Sequence, residues 1–246
     1  MRDWRKYWSS SAQYDNEIEA DGYSEQGRVL TLEQIDTVRK DIGAKLEIKP
    51  SDRVLEVGCG VGLQLDYLSR TTNDLFGIDY APGMIFKAKK RLAGSYFSLS
   101  EAAHLPFARQ SFDKVFSYSV FHYLPSQVYA GNVVSSMIEV CKKGGIVLVG
   151  DLMDQKRKDD YLKYLGEYTI NLTLPELVRL RLSQAKKLLL GQKENEDLDE
   201  LFFNRGFFPD LVKNRFPDCR VEEVDQENVD RITAKRKLRY DLIIRL

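Results

Sequence analysis

The run Val54-Leu55-Glu56-Val57-Gly58-Cys59-Gly60-Val61-Gly62 constrains this chain more than any other stretch, because it ends an apolar strand in a glycine turn that opens a helix. Without side chains at Gly58, Gly60 and Gly62, the backbone can turn sharply and let a ligand approach its amides. A dinucleotide-binding turn reads G-x-G-x-x-G, and the position of its third glycine is occupied here by Leu63. The G-x-G-x-G spacing therefore favours a different nucleotide-like ligand.

The next apolar segment, Asp74 to Asp79, ends in a carboxylate that a parallel sheet would bring beside the glycine turn. A carboxylate there can accept from both hydroxyls of a ribose, so Asp79 is the expected sugar clamp. Tyr80 and Met84 follow and offer apolar surface to one face of a purine. After a third extended segment, Glu101 and Ala102 precede Leu105-Pro106-Phe107 and suit the exocyclic amine of that purine. A fourth strand within 113–118 leads to His122. Taken singly, a glycine cluster is often only a tight turn and an acid after a strand a helix cap. Cys59 reads as a small residue filling the turn, since a nucleophilic thiol needs a paired base nearby.

In this order the motifs resemble the class I S-adenosylmethionine-dependent methyltransferases, in particular the small-molecule enzymes of the ubiquinone-biosynthesis type. The resemblance covers about residues 50 to 151. It implies an α/β, Rossmann-like fold with a seven-stranded, mostly parallel sheet completed by an antiparallel C-terminal hairpin, and S-adenosyl-L-methionine as cofactor. By that similarity Glu56 and the backbone of Gly58, Cys59 and Gly60 hold the methionine end, Asp79 the ribose, and Glu101 with Ala102 the adenine. Ser117 or Tyr118 lines the far side. Glu101 stands where the family most often has Asp.

The 246 residues suffice for one methyltransferase domain spanning 1–246, with an N-terminal lid and helix over 1–47. Thr31-Leu32-Glu33-Gln34 predicts a capping box, and Leu32, Ile35, Val38, Ile42 and Leu46 predict one apolar helix face. Further helices are expected over 82–93, 127–141 and 207–214, and strands over 95–99, 145–150, 220–224 and 239–246. Lys142 and Lys143 read as solvated turn residues. The stretch 155–205 is too long for an ordinary connection and reads as an inserted helical cap that selects the substrate. Its basic amphipathic part, 175–190, either packs on the domain or rests weakly on a membrane surface.

Lys plus Arg and Asp plus Glu number 37 each, so no global field draws in nucleic acid, and a small-molecule acceptor is expected. The basic cluster Arg231, Lys235, Arg236, Lys237 and Arg239 reads as a solvated hairpin rather than an RNA patch. Three widely spaced cysteines without a C-x-x-C pair predict no metal site and the reduced thiols of a cytoplasm. Neither a secretory start nor a membrane span is expected.

Methyl transfer requires placement of an acceptor, exclusion of water and, for a hydroxyl, removal of a proton. His122 is the candidate base, or else a loop-orienting residue; His104 reads as structural. Tyr7, Tyr14 and Tyr23 are expected to close over the methionine portion, with Arg28 pairing its carboxylate. The expected activity is methylation of a small molecule, foremost at oxygen. An RNA-directed methyltransferase and a non-catalytic S-adenosylmethionine-binding module are the rivals, and a magnesium-dependent mechanism is not expected.

Overall fold

The computed structural model describes residues 4–25, 28–163, 200–226 and 238–246. Helices α1 (Trp4–Ser11) and α2 (Glu17–Ala20) precede a minimal antiparallel pair, β1 (Ser24–Glu25) and β2 (Arg28–Val29), and then α3 (Leu32–Leu46). The main alternation is β3 (Arg53–Val57), α4 (Leu63–Leu68), β4 (Asp74–Asp79), α5 (Pro82–Arg91), β5 (Tyr96–Leu99) and β6 (Phe112–Tyr118). It continues through α6 (Gln127–Val140), β7 (Cys141–Met153), α7 (Phe207–Arg215), β8 (Arg220–Asp225) and β9 (Arg239–Arg245).

The seven main strands stand in the order β5-β4-β3-β6-β7-β9-β8. The first five are parallel to one another, and β9 runs antiparallel between β7 and β8. The expected hairpin thus completes the sheet. Burial follows from this layout, since β3 lies between β4 and β6 and is covered on both faces. Leu55 and Val57 join one core with α6 and α7, while Val54 packs into a second core with Val38, Ile42 and Leu46 of α3.

The capping box at Thr31 has both of its bonds: Gln34 N donates to Thr31 Oγ1 at 3.3 Å and Thr31 N donates to Gln34 Oε1 at 2.9 Å. The expected apolar face needs one correction, because Leu32 in the first turn is 57 % exposed while Ile35, Val38, Ile42 and Leu46 are buried. Lys142, expected as a solvated turn residue, is the second residue of β7; its side chain stays 43 % exposed and is bound to both oxygens of Asp113 at 2.9 Å. Arg239, grouped with the solvated basic cluster, is buried and donates to Asp151; the other cluster members, 231–237, lie outside the described residues.

Strand β7 is longer than the expected 145–150. Its first residue pairs with Phe112, and its last residues pair with β9 after a register shift between Val149 and Leu152. Most of the expected cap, 164–199, lies outside the described residues, but its flanks are joined. Phe203 N donates to Met153 O at 2.8 Å and Gln155 N to Phe203 O at 2.9 Å, so the chain returns beside the point where it left the sheet. The free cysteines Cys59 and Cys141 are buried and Cys219 is partly buried. Among the described residues no helix is long and apolar enough to cross a membrane.

Candidate cofactor and acceptor site

The carboxyl ends of the parallel strands open into a cavity of about 550 Å³, within the roughly 300–1,000 Å³ of small-ligand sites. Its floor is the glycine turn after β3. Gly58 and Gly60 have φ of +77° and +51°, a region that favours glycine. A Cβ on Gly58 would stand 2.5 Å from Val120 Cγ2, and one on Gly60 would stand 1.7 Å from Asp21 Oδ1. Space at this turn is therefore already fully used.

Asp79 ends β4 beside that turn. Its Oδ2 accepts from Gly60 N at 3.0 Å and its Oδ1 from Ala81 N at 2.8 Å, which binds the ends of two neighbouring strands together. Burial pushes its carboxyl up to about 6, although the amides of Ala81, Gly60 and Tyr80 oppose the shift. Glu56, on β3, is held well above the ordinary range by burial and by Asp21 and Asp79. Cys59 is buried with its thiol raised by the same causes, so it is protonated and fills space, as its position in the turn suggests.

Most of the expected site residues meet here: Tyr23, Glu56, Gly58, Cys59, Gly60, Asp79, Tyr80, Met84, Glu101, Ala102 and Tyr118 all line the cavity. Tyr23 accepts from Gln64 Nε2. Glu101 sits at the exposed mouth, where Arg5 of α1 pairs with it at 3.0 Å and Tyr129 donates to it at 3.3 Å. The Arg5 guanidinium also lies 5.7 Å from the Tyr80 ring centroid, so α1 reaches across the cleft near Tyr80 and Glu101.

Ser117 and His122 are not brought to the cavity wall. The Ser117 hydroxyl turns away and donates to Val57 O at 2.7 Å. His122 is 2 % exposed and lies behind Tyr123, with ring centroids 4.0 Å apart; its carbonyl accepts from Leu201 N at 2.9 Å. That bond ties the turn after β6 to the chain returning from 164–199. The expected base is thus buried off the cavity wall, and its backbone holds the loop.

Of the N-terminal aromatics, Tyr14 is buried away from the cavity, and Tyr7 packs edge-on against Trp4 and Trp8 at 5.5 and 5.1 Å. Arg28 lies in β2, and its side chain is outside the described part of the structure.

Several wall residues escape sequence reasoning. Trp4 and Trp8 meet Tyr123 at centroid distances of 4.5 and 5.2 Å, and Glu200 enters from the far side. Asp21 reaches in from the end of α2. Ser119 has φ of +58° and donates from Oγ to Asp151 Oδ2 at 2.6 Å, while Asp151 has φ of +67° and is paired with Arg239. Two non-glycine residues with positive φ, one directly after β6 and one within β7, are thus bonded to each other. The aromatic content of α1 and the residue directly after β6 were the only signals available in the sequence.

Acid prevails in the lining. Among the described residues of the wall, five are carboxylates (Asp21, Glu56, Asp79, Glu101 and Glu200) and none is Lys, Arg or His.

Comparison with known proteins agrees with this geometry. The methyltransferase domain family matches residues 55–149. The chain is 28 % identical over 123 residues to "Methyltransferase GfsG" of Streptomyces halstedii, covering 47 % of this chain and 43 % of that protein. It is 29 % identical over 127 residues to a malonyl-[acyl-carrier protein] O-methyltransferase of Hamiltonella defensa, covering 50 % and 48 %. It thus spans about half the length of these curated relatives. In fold it is similar to phosphoethanolamine N-methyltransferase 1 of Haemonchus contortus, with a TM-score of 0.68 at 13 % identity over 98 % of this chain and 48 % of that one. The relatives differ in acceptor, so the matches do not single out the ubiquinone-biosynthesis group. Residues 55–149 thus match the methyltransferase domain family, and the strand order, the glycine turn and the acid after β4 agree with a Rossmann-like methyltransferase fold.

Proposed function

We propose that this chain transfers the methyl group of S-adenosylmethionine to a small-molecule acceptor. The observation that carries the reading is the joint placement of the Gly58–Gly60 turn, the Asp79 carboxylate and the Glu101–Ala102 edge around one cavity that has further wall beyond them, at Trp4, Tyr123 and Glu200. The residues fit the cofactor: the buried Glu56 Oε2, on the cavity wall, has no hydrogen-bond partner within the protein. Glu56 and the turn hold the methionine end, Asp79 the ribose, and Glu101 with Ala102 the adenine.

When bound, the cofactor supplies an electrophilic methyl on a positively charged sulfur. The protein has only to align an acceptor, exclude water and manage a proton. The acidic wall suits a cationic sulfonium and disfavours phosphate-rich ligands, which supports a small neutral or cationic acceptor over RNA. Oxygen is the acceptor atom of our reading. Ser119 replaces His122 as the residue that meets the acceptor hydroxyl, because its own proton is committed to Asp151 and its oxygen can only accept from the cavity side.

The test is incubation of the purified chain with isotopically labelled methyl donor and a metabolite extract, followed by mass spectrometry. Label in a small-molecule ether is expected. Label only in RNA, or tight cofactor binding with no labelled product from any extract, would replace this reading with one of its rivals.

A further inference from the structure

The carboxylates of the cavity floor come from three separate elements: Glu56 from β3, Asp79 from the end of β4, and Asp21 from the end of α2. Asp21 is the one no motif announces. Its Oδ1 accepts from Val61 N at 2.9 Å, so it sits directly on the glycine turn, 40 residues away in sequence. Acids grouped in this way repel one another, and among the described residues no cation stands with them on the cavity wall. Arg39, paired with Asp36 through one nitrogen at 3.0 Å, and Arg91, paired with Glu17 and 3.6 Å from Asp66, act on Asp21 only partly, and neither lines the cavity.

A second observation points to what compensates them. Glu56 is 2 % exposed and its Oε2 has no hydrogen-bond partner; Gln64 is 4 % exposed and its Oε1 has none either. Both residues line the same cavity as Asp21. A buried acceptor without a donor is costly, and most costly when charged, so the site is short of hydrogen-bond donors and of positive charge. Among the described residues no group of three acid, His or Cys side chains is arranged to hold a metal ion. An ammonium group supplies what is missing: three N–H donors and one positive charge on a compact centre.

We propose that Asp21 is a cofactor-binding residue that, with Glu56 and Gln64, receives the α-ammonium group of the methionine portion. The assignment rests on the S-adenosylmethionine reading above. It gives the N-terminal segment a direct part in binding: the loop after α2 both caps the glycine turn through Val61 and closes the amino-acid end of the cleft. Asp79 remains with the sugar. The amino-acid end and the nucleoside end are thus gripped by different carboxylates, and they can be tested separately.

The experiment is isothermal titration of the full chain with two probes, S-adenosylhomocysteine and 5′-methylthioadenosine, the second having the same nucleoside and thioether but no amino-acid end. Asp21→Asn is expected to weaken S-adenosylhomocysteine by about tenfold or more, the scale of a lost charge-assisted bond. It should leave methylthioadenosine within about twofold, the scatter expected of an uncoupled site. Asp21→Ser, which keeps an oxygen for the Val61 amide and removes the charge, should show the same split and serves if the first variant folds poorly. Equal loss for both probes would make Asp21 a shaper of the turn and overturn the proposal, as would no loss for either. A wild-type chain that binds neither probe would overturn the cofactor reading itself, and this assignment with it.

Discussion

Asp79 Oδ2 accepts the amide of Gly60 at 3.0 Å, so the side chain that ends one strand fixes the ligand-binding turn that follows its neighbour. Its other oxygen takes the Ala81 amide at 2.8 Å. Asp79→Ala removes both bonds along with the proposed ribose contact. Hydrogen bonds to a charged group contribute about 1.5–3 kcal/mol, so the variant should lose at least about 30-fold in S-adenosylhomocysteine affinity and about 2–3 kcal/mol of stability. Calorimetric titration and urea unfolding measure the two; an unchanged dissociation constant would take Asp79 out of the site.

Gly60→Ala and Gly144→Ala separate backbone strain from crowding. Both glycines have positive φ, +51° and +78°, but a Cβ on Gly144 meets nothing within 4 Å while one on Gly60 collides with Asp21. The left-handed conformation alone costs a non-glycine residue about 1–2 kcal/mol. Gly144→Ala should lose about that much by urea unfolding and bind the cofactor normally. Gly60→Ala should lose more and bind poorly, because Asp21 must leave the turn.

The carboxyls of Asp21 and Asp79 are raised from 3.8 to about 7 and about 6, chiefly by burial. The native chain therefore holds more protons than the unfolded one between about pH 4 and 7, and these two groups make stability fall as pH rises through that window. Asp113, held low by the Arg53 amide and Lys142, acts oppositely but only below about pH 4, where its ordinary titration lies. Scanning calorimetry of the cofactor-free chain should show a declining midpoint from pH 5 to pH 8 that Asp21→Asn flattens. The stabilisation by added S-adenosylmethionine should be larger at pH 8 than at pH 5, since the ionised acids favour a cation. A midpoint that rises across the window in wild type and variant alike would contradict the burial of this cluster.

Arg239 and Asp151 form an ion pair with side chains only 5 % and 4 % exposed. Removing one member leaves the other as a buried charge, which costs about 3–5 kcal/mol. Arg239→Ala should lose that much in urea unfolding. Were Arg239 part of a nucleic-acid surface, the variant would keep its stability and lose only salt-dependent RNA affinity.

Local chemistry was readable from the chain wherever short-range rules decide the outcome. The Thr31–Gln34 capping box forms with both bonds, and the glycine turn and Asp79 meet because parallel pairing of Val57 with Ile78 aligns the ends of β3 and β4. Strand β7 runs past the apolar segment 145–150: the positive φ of Asp151 makes an irregularity beyond which Leu152 pairs with Tyr240. That continuation depends on a partner strand far along the chain, so no local pattern encodes it.

The missed site residues have the same origin. Asp21 reaches Val61 across 40 positions, and Trp4 reaches Tyr123 through the packing of α1 over the cleft. Nothing in the composition of either segment specifies that approach. His122 stays off the cavity wall for the converse reason: its position after β6 is right for the cleft, but within the turn Phe121–Tyr123 it is Tyr123 that lines the cavity. A single turn of helix decides which of two adjacent rings meets the ligand.

The most direct test is a crystal structure of the full chain with S-adenosylhomocysteine. Its ribose hydroxyls should lie on Asp79, its adenine amine at Glu101 and its ammonium group between Glu56 and Asp21. A cleft that stays empty at saturating ligand, or one that receives the nucleoside away from Asp79 and the glycine turn, would contradict this placement.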